Sequence, residues 1–65
     1  MVKFIEVENS SGKRCLINVN LIEEVIEDNE ENCTIYIAFC VPGAITQDAY
    51  RLNMPYDKVV SMIKE

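Results

Sequence analysis

The chain has 65 residues, 49% of them hydrophobic, with 11 acidic and 6 basic side chains and a formal charge of −5. That length holds one domain, residues 1–65, and at this size folding buries only roughly 60% of the surface that the unfolded chain exposes, so a disulfide, a metal or self-association is expected to supplement the core. Histidine is absent and the three cysteines, Cys15, Cys33 and Cys40, form no C-x-x-C pair, which excludes the usual zinc patterns and a complete set of internal disulfides and leaves self-association as the expected supplement.

The start of the chain, Met1-Val2-Lys3-Phe4-Ile5-Glu6, places charges among its apolar residues. No charged segment followed by an apolar one precedes the cysteines, and no apolar run approaches the roughly 18 residues of a membrane span. A cytoplasmic protein with reduced thiols and no membrane insertion is expected.

Residues 2 to 8, rich in β-branched and aromatic types, read as a strand. Asn9-Ser10-Ser11-Gly12 reads as a hairpin turn, and a second strand runs from about Lys13 to Asn18, with Arg14, Leu16 and Asn18 on one face and Cys15 and Ile17 on the other. The two asparagines around Val19 offer side-chain bonds that compete with a ladder, so a tight turn or one turn of 3₁₀ helix is expected over Asn20 to Glu23. The apolar positions Leu21, Ile22, Val25 and Ile26 fit a helical period as well as a strand. The segment is read as strand from about Glu24 to Asp28, because it is too short for a stable helix and lies between two strong strands.

Asn29-Glu30-Glu31-Asn32 is a polar turn leading into Cys33 to Phe39, the clearest strand, whose face of Cys33, Ile35, Ile37 and Phe39 is wholly apolar. Cys40 to Gln47, with Pro42-Gly43 inside it, is expected to be a loop longer than a minimal hairpin needs. A last strand is read over Asp48 to Asn53. A helix follows from Pro55, a residue suited to the first helical position, with Asp57 in the first turn and an apolar stripe of Tyr56, Val59, Val60 and Ile63, Met62 beside it. The expected fold is α+β, mainly β: an antiparallel sheet of four to five strands in meander order, able to curl toward a small barrel, with one C-terminal helix covering one face or end of it.

Without histidine no base is available to activate a cysteine nucleophile, and Cys15 and Cys33 lie in apolar strands where a thiol packs as a small hydrophobe. Cys40, ending its strand, is the thiol expected to be most exposed. Glu23, Glu24, Glu27, Asp28, Glu30 and Glu31 concentrate six of the 11 acids in one stretch. They read as solvated charge, and Asp28 to Asn32 lacks the glycine and spaced glutamate of a calcium loop. This acidic stretch and the scattered basic residues oppose nucleic-acid binding, and Tyr36, Tyr50 and Tyr56 read as packing residues with wet hydroxyls before they read as a stacking platform for bases. No enzyme activity, metal or cofactor is expected.

The run Leu16-Ile17-Asn18-Val19-Asn20-Leu21-Ile22-Glu23-Glu24-Val25 resembles the hallmark of the small FlbD family of bacterial proteins encoded among flagellar and swarming-motility genes, and similar short β-rich bacterial domains share the pattern. The resemblance extends through Thr34-Ile35-Tyr36-Ile37 and through Tyr50 to Val60, with Asn20 standing where the family carries aspartate and the Cys40 to Gln47 segment standing where it has a tight glycine-lysine hairpin. It implies a sheet closed by a terminal helix, no catalytic residue, and a place as an accessory factor of the motility apparatus.

The residues themselves point first to a non-catalytic protein–protein interaction module that pairs with itself, and with another protein as a further partner. A motility accessory is the alternative, and a regulator binding nucleic acid ranks below both. The candidate contact residues are Val41, Pro42, Gly43 and Ile45, apolar or turn-forming in a loop with no evident folding duty. The competing reading, given equal weight, is that Ile45 folds back onto the sheet and adds to a scarce core.

Overall fold

The computed structural model describes residues 2–65, with Cys40 described by its backbone alone. Alternation makes β1 (Phe4–Glu8), which buries Ile5 and Val7 and exposes Phe4 and Glu6. It pairs antiparallel with β2 (Arg14–Asn18) in a register that sets Ile5 against Ile17 and Val7 against Cys15, so the apolar residues of both strands share one face. The turn between them is held by Asn9, whose Oδ1 accepts from the backbone N–H groups of Ser11 and Lys13, both at 3.0 Å. Gly12 supplies the positive φ of +80° that the reversal needs.

Asn18 ends β2 and caps a 3₁₀ turn over Val19–Leu21, accepting from the Asn20 N–H at 2.9 Å. The turn sits slightly earlier than its sequence suggested because the capping side chain is Asn18 itself. The ambiguous segment that follows is a strand, β3 (Ile22–Glu27), laddered to β4 (Cys33–Val41) from Glu24 opposite Tyr36 to Glu27 opposite Cys33. A register shift between Ile22 and Glu24 explains its helix-like pattern. Residues three apart point to opposite faces of a regular strand, and the irregularity lets both Ile22 and Val25 pack against the core while Ile26 stays outside.

β4 buries Cys33, Ile35 and Ile37 and half-buries Phe39, as its alternation requires. β5 (Ala44–Leu52) pairs with it antiparallel and contributes Leu52 to the core. Among the described residues the strands form two antiparallel sheets, β1-β2 and β3-β4-β5, where one sheet of four to five strands was expected. The sheets meet at an isolated pair, Asn9 with Leu52, flanked by Ser10 N–H to Arg51 O at 3.0 Å and Asn53 N–H to Glu8 O at 2.9 Å. The break follows from the turn at Asn9, which carries β1 away after one residue pair.

Helix α1 (Tyr56–Lys64) begins one residue after Pro55, which is its cap, not its first residue. Its stripe docks as expected: Val59 is fully buried, and Tyr56, Val60, Met62 and Ile63 are half-buried. Lys3 crosses from the chain start to donate its Nζ to the carbonyls of Ile63 and Glu65 at 3.1 and 2.6 Å, placing a cation at the negative end of the helix dipole. Both sheets and the helix thus feed one core of Ile5, Val7, Ile17, Cys33, Ile35, Ile37, Leu52, Met54 and Val59.

Candidate interaction surface

The structure replaces the expected Cys40 to Gln47 loop with a tight hairpin. β4 runs through Val41, Pro42-Gly43 makes the turn, and β5 starts at Ala44, with an unbroken register from Cys33 opposite Leu52 to Val41 opposite Ala44. Proline holds φ near −65°, and Gly43 at +84° provides the single positive φ of a type II turn. The β-branched Val41, Ile45 and Thr46 on either side favour extended backbone, and once the ladder forms no residues remain for a loop.

Because β3 begins at Ile22, opposite Ile37, the chain from Ala38 to Gln47 has a strand partner only in its own hairpin, among the described residues. This two-stranded arm carries apolar side chains into solvent: Ile45 is 79% exposed and Val41 40% exposed. Ile45 therefore does not fold back onto the sheet. The four candidate residues share the arm's tip but not one face. Val41 lies with Ala44 on the side of the sheet that carries Phe39, while Ile45 belongs to the opposite side with Gln47, Ala49 and Tyr36.

On that opposite side Ile26 and Tyr36 add further apolar surface, bordered by hydrogen bonds from Gln47 Nε2 to Glu23 Oε1 at 2.9 Å and from Thr34 Oγ1 to Asp28 Oδ2 at 2.6 Å. An ion pair between Arg51 and Asp28 spans 4.0 Å at the solvent surface, a geometry that adds little energy. A second exposed apolar pair, Phe4 at 53% and Leu16 at 67%, occupies the outer face of the β1-β2 ribbon as diagonal neighbours. Sequence reading did not single it out. The signal was present, since Phe4 and Ile5 put an apolar residue on each face of β1.

The thiols are placed by packing. Cys33 is 0% exposed, and its burial, with the Asp28 carboxylate adding to the effect, pushes the thiol pKa up and holds it protonated. Cys15 is half-buried, its Sγ accepting from Asn9 Nδ2 at 3.4 Å. The exposure expected of the Cys40 thiol falls outside the described residues. The six acids of residues 23–31 are all exposed, and no three metal-ligating side chains converge among the described residues. A shallow groove of about 270 Å³ runs between α1 and β3, floored by Ile22, Val25, Tyr56 and Ile63 and edged by Glu23 and Lys64. Among the described residues no helix is long and apolar enough to cross a membrane.

Comparison with protein-family models, with curated proteins and with solved structures finds no match to this chain.

Proposed function

We propose that this chain is a non-catalytic protein–protein interaction module that associates with itself through the β4-β5 arm. The observation that carries the reading is the arm itself. Ladder pairs beyond Ile37–Asp48 add nothing to the β3-β4 pairing, yet they continue to Val41–Ala44 and display Ile45 and Val41 to water. A lone two-stranded ribbon is marginally stable in water, and a contact that covers its apolar residues would stabilise it.

The finer architecture belongs to the same reading. The Asn9–Leu52 pair and the bonds that flank it, Ser10 N–H to Arg51 O and Asn53 N–H to Glu8 O, support seeing the two sheets as one curled sheet, ordered β2-β1-β5-β4-β3 and bent toward a small barrel. The free thiols Cys15 and Cys33 favour a reducing, cytoplasmic setting.

Sedimentation equilibrium at micromolar concentration is expected to give a species heavier than the 7.4 kDa chain. A 7.4 kDa species alone overturns self-association. Replacing Val41 and Ile45 together by serine is expected to leave the monomer's circular dichroism spectrum native and to weaken association. A double variant that unfolds places the arm in the core and removes the reading.

A further inference from the structure

We propose that the second copy docks edge to edge, adding its β5 antiparallel to β5 about a two-fold axis at Gln47. This rests on the self-association reading above and gives that contact a register.

Short of the Asn9–Leu52 pair, where β1 touches its end, β5 has a free edge: β4 lies on one side of Ile45–Ala49, and on the other, among the described residues, that stretch has no strand partner. At that pair Arg51 O accepts from Ser10 N–H, so the backbone of Arg51 faces away from β4. Alternation turns Ala49, Gln47 and Ile45 the same way. Their three N–H and three C=O groups form an unpaired row along the arm.

The two edges of the three-stranded sheet differ in how they are guarded. β3, at the far edge, carries Glu23, Glu24 and Glu27 in six residues, whereas β5 carries Asp48 and Arg51 in nine. Charged side chains on an edge strand discourage pairing, so the β5 edge is the open one.

A continuous antiparallel sheet between identical copies keeps each residue on its own face, so residues directly opposite must be an even number apart in sequence. Centring the axis on Gln47 sets Gln47 opposite Gln47 and Ile45 opposite Ala49 of the second copy. The six outward groups of each chain then meet six partners. On one face the isoleucine that is 79% exposed is covered by the neighbouring alanine, which is small enough to admit it. On the other, Thr46 lies opposite Asp48 of the second copy, a hydroxyl donor against a carboxylate. Moving the axis to Asp48 sets the two aspartates against each other and presents Ile45 to Arg51, whose carbonyl Ser10 already occupies. Moving it to Thr46 runs Ala49 into the Gly43 turn. The Gln47 register is the one that the sequence of this edge accepts.

The register is tested by disulfide trapping in a chain with Cys15 and Cys40 replaced by serine, leaving the buried Cys33. Opposed residues of a hydrogen-bonded pair stand about 5.5 Å apart at Cα, within disulfide reach. Gln47→Cys is expected to form a covalent dimer under mild oxidation. Ile45→Cys and Ala49→Cys are each expected to stay monomeric when oxidised alone and to cross-link when mixed. Ala49→Pro removes an outward N–H and leaves the β4 ladder intact, and is expected to raise the dissociation constant on the order of tenfold or more with a native circular dichroism spectrum. The trapping result decides the case should that variant fail to fold. A sedimenting dimer that Gln47→Cys does not trap overturns the edge register and leaves self-association standing. A chain that stays monomeric at all concentrations overturns both.

Discussion

Ile35→Val and Ile45→Val delete the same methyl group from two strands of one sheet, and the structure requires outcomes of very different size. Ile35 is 0% exposed at the centre of β4, and Ile45 is 79% exposed on the arm. Removing a buried methyl costs about 1 kcal/mol, transfer and cavity terms together. At Ile45 about one fifth of a transfer term near 0.8 kcal/mol is at stake, on the order of 0.2 kcal/mol. A chain of this size has a total stability of roughly 3–10 kcal/mol and a urea dependence of about 1 kcal/mol per molar. The denaturation midpoint is therefore expected to fall by about 1 M for Ile35→Val and by about 0.2 M for Ile45→Val. The chain lacks tryptophan, so far-ultraviolet circular dichroism is the suitable probe. Titrations at protein concentrations about tenfold apart separate monomer stability from any contribution of association, which grows with concentration. At the lowest concentration, equal shifts for the two variants would refute the reasoning, because Ile45 would then be packed within the monomer.

Cys33 is expected to resist alkylation in the native protein and to react only on unfolding, while Cys15 reacts at intermediate rates; a mass-spectrometric time course distinguishes them. Because burial raises the folded-state pKa of Cys33, the stability it contributes is complete below the unfolded thiol's pKa, about 8.5, and declines as pH rises through that value toward the folded one, so the urea midpoint should fall on the alkaline side. Gly12→Ala is expected to cost about 1 kcal/mol in thermal or urea unfolding, all of it from the backbone, since φ is +80° and an added Cβ meets nothing within 4 Å. Val59→Ala, which removes two buried carbons from the one fully buried residue of α1, is expected to cost about 2 kcal/mol and to increase amide exchange in the helix before it does so in β4.

Much of this fold is legible locally. Two-residue alternation marked the buried face of β4, the 3.6-residue period marked the stripe on α1, and Asn9 to Gly12 announced its own turn, because each of these preferences is set by neighbouring backbone and side chains. The exposure of the acids from Glu23 to Glu31 followed from the desolvation that burying them would demand. What the sequence left open depended on partners distant along the chain. Ile22 to Glu27 became a strand because β4 offered it a ladder, and its helix-like spacing was absorbed by a register shift that no local preference shows. The division into two sheets was decided by pairing across the chain, since contact between the end of β1 and β5 stops at the single Asn9–Leu52 pair. The length of the β4-β5 arm, and with it the exposure of Ile45 and the free edge at Gln47, was hidden behind Pro42-Gly43. A two-residue turn and the middle of a longer loop share that dipeptide. Only the continuous pairing of Val41 with Ala44 and of the residues behind them decides between the two.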